Sequence, residues 1–340
     1  MPEIFISYLS FELCKLKKKT RYFALMISIF HKVNEHYEMT NDVGLLHTLK
    51  RENILWVDIL GWNEEDERKV ENYFNIHIMN NQESLEIEQS ARYIEYEDHI
   101  VCQSDFVTKQ GIVLTPKIVS FTVEQNLLIT SRDYAFRSFN ETAKKVLAAS
   151  SKLTSSDVFL TIIDLRIAND ADLVEELTSE ISKLSKEIIT EKHTSKLLIL
   201  KLNDLREDLM LMMQNGINKK LVLSVIKKTS YLNRKVENEL DISVKDIDSV
   251  IDFIRFNFDR LDYIDSTLNH LITYEQNNSI KLFTIVSLFF MPPMLIASIY
   301  GMNFKFLPEV DWEFGYPYAL ILMFFTVVAT FIYFKRKRWL

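Results

Sequence analysis

Two uncharged runs near the C-terminus dominate the pattern of apolar and polar positions. No residue from Leu282 to Phe304 is charged, and none from Phe314 to Phe334. At about 1.5 Å of rise per residue, each run is long enough as a helix to cross a hydrocarbon layer of ~30 Å. The pattern therefore predicts two membrane spans. Trp312, Tyr316, Tyr318, Tyr333 and Trp339 lie near the ends of the second, where amphipathic rings favour the interface. The tail Lys335-Arg336-Lys337-Arg338 is basic, whereas the stretch between the runs sets Lys305 against Glu309, Asp311 and Glu313. That asymmetry predicts that both termini are cytosolic.

The preceding residues carry charges throughout. Residues 53–60 read as a strand, and Asn63 with Glu64-Glu65-Asp66 reads as the acidic opening of a helix that buries Val70, Tyr73 and Phe74. Apolar runs at 98–102, 112–123 and 127–130 predict further strands, so residues 1–165 form an α/β cytosolic domain. From Asp170 onward Leu173, Leu177, Ile181, Leu184 and Ile188 share a helical face. A break is expected at Gln214-Asn215-Gly216-Ile217-Asn218 and a return helix to about Glu239, giving a helical hairpin over 166–240 with solvated charged faces. A third helix, near 55 residues, is expected from about Val244, since neither Gly nor Pro falls between Asp246 and Ile280. It supplies a stalk (241–280) and the first span (281–301); a loop (302–315), the second span (316–335) and a basic tail (336–340) follow.

The long helix carries two stripes. Ile247, Ile251, Ile254, Phe258, Leu261, Leu268 and Ile272 form a packing seam. Another face carries Ser266, Asn269, Thr273, Asn277, Ile280, Thr284, Ser287, Met291, Met294 and Ser298. Small polar groups at this spacing serve helix packing in lipid, but a stripe running from the soluble part into the span also suits an ion pathway. Two spans cannot enclose water, so a conducting form must be a homo-oligomer. Ile280, Phe283 or Thr284, Met291 and Met294 are candidates for a narrow apolar ring that closes by dewetting. Pro292-Pro293 deprives the carbonyls of Leu288 and Phe289 of their helical donors, and a kink is expected there.

Composition narrows the chemistry. A net charge of −7 suits cations rather than nucleic acid. His31, His36, His47, His77 and His99 have no convincing Ser or Cys partner, and six glycines in the whole chain form no phosphate loop. Neither an enzyme nor an organic cofactor is expected. Cys14 and Cys102 stand far apart, without the spacing of a thiolate metal site. Lys15 to Arg21 followed by Tyr22 to Phe30 has the outline of a signal peptide, but His31, Lys32, Asn34 and Glu35 follow in place of a cleavage site, and a buried strand or helix explains the run more simply.

Tyr300-Gly301-Met302-Asn303-Phe304, Leu307-Pro308-Glu309, Trp312, Gly315-Tyr316-Pro317 and the tail Phe334 to Leu340 together resemble the signature of the CorA magnesium transporters. Ser90-Ala91-Arg92-Tyr93, Glu95 to Ile100, Val119 to Val123 and Leu127 to Thr130 resemble the cytosolic domain of that family. The resemblance implies a funnel-shaped homopentamer in a bacterial inner membrane, embedded in lipid, with the first span lining the pore. It implies Mg²⁺ as the transported ion, with Co²⁺ and Ni²⁺ as further cargo, and Asn303 with Gly301 and Met302 as the selectivity filter. It also implies cytosolic sensing of divalent ions, to which Glu97 and Asp98 correspond by position, with Asp241, Asp246 or Asp248 as stalk partners. Met294 departs from the Thr that many relatives carry. A zinc-transporting branch on the same scaffold often varies the middle residue of its Gly-x-Asn motif, so Met302 favours magnesium; a membrane-anchored scaffold would need neither stripe nor motif.

Overall fold

The computed structural model describes residues 26–61, 64–76, 78, 92–111, 113–150, 152–190, 196–228, 234–302 and 312–337. Asn63, His77, Ser90-Ala91, Asn303, the loop acids Glu309 and Asp311 and the stretch before Met26 lie outside them. The chain divides into one unit reaching Asp262, without 191–195, and a second that begins at Tyr263.

The first unit is built on a seven-stranded sheet of order β2-β1-β3-β7-β6-β5-β4. Its strands are β1 (Met26–Val33), β2 (His36–Thr40), β3 (Ile54–Leu60), β4 (Tyr93–Glu95), β5 (Ile100–Gln110), β6 (Val113–Val123) and β7 (Leu128–Arg132). Only β3 and β7 pair in parallel; the other neighbours are antiparallel. All of β3 is buried, which is why its sequence is a continuous apolar run rather than an alternation. One core takes Phe30, Trp56, Phe121 and Phe159; the other takes Ile29, Val57, Ile129 and Phe74 of α1 (Glu64–Phe74). Asp58 is the exception within β3. Its carboxylate takes two bonds from Arg132 on β7, Nη2 to Oδ2 at 2.7 Å and Nε to Oδ1 at 3.1 Å, and a third from Thr130 Oγ1 at 2.8 Å. The Arg132 guanidinium also lies 4.2 Å over the Phe139 ring of α2 (Arg137–Ala148), so this pair ties two strands to a helix.

Three helices complete the unit, and here the structure corrects the expected boundaries. α3 (Ser155–Thr190) starts ahead of the expected hairpin. Thr154 Oγ1 and N both donate to Asp157 Oδ2, at 2.7 and 2.8 Å, while Asp157 N donates back to Thr154 Oγ1 at 3.3 Å. This reciprocal cap opens the helix, and Val158, Phe159, Ile162 and Ile163 then enter the sheet core. Strand β5 extends well past the expected 98–102, because full pairing with β6 from Ile100↔Val123 to Gln110↔Val113 carries its polar residues.

The break expected at 214–218 does not occur. α4 (Lys196–Ile226) runs through it, and residues 191–195, between α3 and α4, lie outside the described residues. Asn215 and Asn218 are buried and hydrogen-bonded inside the unit. Gly216 lies where a Cβ would come within 3.0 Å of Ile251 Cγ1 on the next helix. The glycine is a place of close approach, not a helix stop. Gly216→Leu should lower the stability of the full-length protein by about 1–3 kcal/mol through overpacking, read as a fall in its melting temperature; an unchanged value would refute the close approach.

α5 (Arg234–Tyr300) starts before the expected Val244, because Val236 and Leu240 extend the buried ladder, and its 67 residues span about 100 Å at the helical rise. Of the expected seam, Ile247, Ile251, Ile254, Leu261 and Leu268 are buried, whereas Phe258 and Ile272 are only half-buried. In the second unit, α5 continues through Pro292 and Pro293 to Tyr300, and α6 (Gly315–Arg336) follows.

Candidate ion pathway

Within the second unit, the end of α5 has two distinct faces. Ile285, Leu288, Phe289, Pro292, Pro293, Ile296 and Tyr300 are partly covered, and Phe289 meets the Phe331 and Phe334 rings of α6 at 6.4 and 6.2 Å. On α6, Gly315, Ala319 and Phe334 are buried.

 Asn277, Ile280, Phe283, Thr284, Ser287, Met291, Met294 and Ser298 are all exposed in the single chain. At about 100° per residue their mean direction lies roughly 150° around the helix from the covered set. The face that meets α6 and the proposed pathway face are thus different sides of one helix. Thr284 Oγ1 donates to the Ile280 carbonyl at 2.8 Å, so its proton is used within the helix while its lone pairs stay available to the waters of a cation.

Helix α5 ends at the glycine of the motif. Gly301 N donates to the Ala297 carbonyl at 2.9 Å, and Met302 N to that of Ile299 at 3.3 Å. Both residues are exposed, and a Cβ on Gly301 would stand 3.2 Å from the Ala297 oxygen. Asn303 itself lies outside the described residues.

The acids matched to ion sensing are separated by their partners. Glu97 and Asp98 share the turn before β5. The hydrogen bond from His99 Nδ1 to Asp98 Oδ1, at 2.6 Å, lowers the Asp98 carboxyl below its ordinary range. Asp241 is bound to Lys227 at 2.5 Å, Asp248 to Lys220 at 2.6 Å, and Asp246 is exposed. Among the described residues of one chain, no group of three or more His, Cys, Asp or Glu side chains converges to hold an ion.

Comparison with known proteins decides the family. The family described as CorA-like Mg²⁺ transporter protein matches residues 51–336. The chain belongs to this family. The magnesium transport protein CorA of Wolinella succinogenes is 34% identical over 85% of this chain and 92% of its own length. The protein of the same description from Helicobacter pylori is 27% identical over 86% and 92%. The complete CorA magnesium transporter from Methanocaldococcus jannaschii has the same fold, with a TM-score of 0.78 at 16% identity, covering 94% of this chain and all of that one. Membership in a transporter family, with two helices long and apolar enough to cross a bilayer, makes this an integral membrane protein.

Sequence reasoning missed one feature of the first unit, a buried polar cluster joining α3, α4 and β5. Arg166 Nη2 donates to the Val107 carbonyl and to Asp170 Oδ1. Lys219 Nζ lies 2.9 Å from Asp170 Oδ2, donates to the Asp105 carbonyl at 2.7 Å and also meets Asn215 Oδ1. Burial pushes the Lys219 amine down to about 8, with Asp170 opposing and Arg166 adding to the push. For Asp170, burial alone would raise the carboxyl, but Lys219 and then Arg166 reverse this and hold it below its ordinary value. A signal was present: Arg166 and Asp170 fall in register with Ile163, Ile167 and Val174, on the buried ladder rather than the charged face.

Proposed function

We propose that this protein carries hydrated Mg²⁺ across a membrane as a homo-oligomer, a pentamer by family likeness, around a pathway lined by the exposed stripe of α5. The observation that carries this reading is the segregation of that stripe from the α6-covered face. Mg²⁺ sheds its waters reluctantly, so a lining of hydroxyl, amide and thioether groups, rather than carboxylates, suits an ion that moves with its shell and must also leave. Both termini are cytosolic in this proposal, on the charge asymmetry of the flanks. A negative-inside potential then contributes about 4.6 kcal/mol per 100 mV to entry of a divalent ion.

Vesicles carrying the full-length protein should show Mg²⁺ influx that grows with a negative-inside potential. Absence of influx would overturn the proposal, and Zn²⁺ influx without Mg²⁺ influx would favour the zinc-transporting alternative. Co²⁺ and Ni²⁺, proposed as further cargo, should compete in the same assay.

Regulation by cytosolic divalent ions through Glu97 and Asp98 belongs to the same reading, with ligands from a neighbouring subunit completing the site. Asp241 or Asp246 would serve as stalk ligands, Asp241 only after release from Lys227. Asp98→Asn should weaken inhibition of influx by internal Mg²⁺ several-fold, on the order of one lost charged ligand; unchanged inhibition removes this assignment.

A further inference from the structure

Between Ser287 and Ser298 the pathway stripe of α5 holds no hydroxyl, amide or charge, since every residue from Leu288 to Ala297 is apolar. At the helical rise this gap is about 16 Å long. Two thioethers stand on the stripe within it, Met291 and Met294. At about 100° per residue, both point within roughly 40° of the stripe's mean direction. They are 62% and 68% exposed in the single chain, so most of each side chain is left uncovered by α6. Ile280 and Phe283, the other apolar members of the stripe, lie among Asn277, Thr284 and Ser287. The methionine pair is therefore the part of the lining that offers least to water, and a narrow ring dewets where its walls are apolar.

The polarity of such a gap depends on the oxidation state of its sulfurs. A thioether is a weak acceptor, whereas methionine sulfoxide is polar. Hydrogen peroxide makes the conversion. A sulfur lone pair attacks one peroxide oxygen and forms the S–O bond while the O–O bond breaks. The departing hydroxide then takes the proton from the transferred oxygen and leaves as water. Sulfur gives up two electrons, and peroxide accepts them. In a homo-oligomer each position recurs once per subunit, so oxidation replaces a ring of weak acceptors by a ring of polar ones.

We propose that Met291 and Met294 form a peroxide-sensitive modification site, whose conversion to methionine sulfoxide wets the apolar gap and raises ion passage. The proposal rests on the reading of the stripe as the pathway and adds a regulation of it. Met302, 48% exposed, does not serve the same role. It lies beyond the gap and beside Asn303 in the chain, so a sulfoxide there brings no polarity to the stretch between Ser287 and Ser298.

The test measures Mg²⁺ influx into vesicles carrying the full-length protein at one fixed negative-inside potential, before and after brief hydrogen peroxide treatment. Peptide mass spectrometry locates the added oxygen, with Met210, 59% exposed in the first unit, reporting that the dose was effective. Peroxide should raise wild-type influx several-fold, with sulfoxide at Met291 and Met294. The readout for each variant is its own ratio of treated to untreated influx. For Met291→Leu with Met294→Leu, which keeps Met302 and both cysteines, that ratio should stay near unity. Met291→Gln with Met294→Gln, which sets an amide where the sulfoxide would stand, should conduct above wild type without peroxide. Sulfoxide at both positions with unchanged influx overturns the proposal, as does an equal rise in the leucine variant. Oxidation of Met210 that leaves Met291 and Met294 unmodified overturns it too. Untreated wild type that passes no Mg²⁺ removes the pathway reading itself, whereas influx that is present but insensitive to peroxide removes this proposal alone.

Discussion

Vesicles carrying the Asn303→Ala protein should lose Mg²⁺ influx by a factor approaching a hundred. In the proposed pentamer, position 303 presents a ring of amide side chains just beyond the end of α5, where Gly301 and Met302 leave the helix. Each amide oxygen can accept a hydrogen bond from a water of the hydrated ion, so the ring binds Mg²⁺ without stripping its shell. At the low end of about 0.5 kcal/mol per net hydrogen bond, five lost bonds come to ~2.5 kcal/mol. Because Asn is neutral, capture does not become trapping. Asn303→Asp should therefore slow release while tightening capture, so that influx saturates at lower Mg²⁺. Equal influx in wild type and Asn303→Ala would remove the filter assignment and leave the α5 stripe as the remaining support for conduction.

The second large effect is on stability. Asp170→Ala should destabilise the protein by about 3–5 kcal/mol, because it leaves the Arg166 guanidinium and the Lys219 ammonium buried with no counter-ion between them. For a chain of this size that is a fall in melting temperature on the order of 10 °C. Removing Lys219 as well, in Asp170→Leu with Lys219→Met, should recover part of the loss, since a well-packed apolar replacement avoids the desolvation cost. A melting temperature unchanged by Asp170→Ala would mean the cluster contributes nothing to stability.

The same cluster sets a pH dependence. Asp170 has a folded-state proton affinity below its ordinary value. Its contribution is therefore present above the unfolded value of about 3.9 and is lost as pH falls through the lower folded one. Lys219 acts on the alkaline side. With its amine pushed down to about 8, the unfolded chain binds more protons between there and the free-lysine value of about 10.4, so stability rises with pH across that window. Melting temperatures of wild type and Lys219→Met followed from neutral to alkaline pH should show the rise in wild type alone. A parallel pair of curves would refute this account.

The membrane spans were legible because their signal is local: a run of uncharged residues long enough to cross a bilayer needs no partner to be read. Strand β3 was legible for the same reason, since a strand buried on both faces has a nearly continuous apolar sequence, here interrupted only by Asp58. Polar residues serving tertiary ends misled. Asn215, Gly216 and Asn218 have the composition of a turn, yet they sit inside α4, where Asp170, Asp105 and Ile251 give each a use that sequence spacing does not reveal. Asp58 would count against a central strand on composition, and its partners on β7 explain it: Thr130, and Arg132 74 positions away.

By itself the sequence determined the two apolar spans, the α/β character of the part that precedes them, the long helix and the Gly301-Met302-Asn303 motif, because periodicity, length and short-range chemistry are properties of neighbours along the chain. The tertiary structure decided where the helices begin, which polar residues are buried together, and that the side of α5 covered by α6 is not the side carrying Thr284, Ser287 and Met291. Those outcomes depend on which side chains meet across large sequence separations, where the energy of a contact is set by burial and by the partner rather than by the residue's own preference.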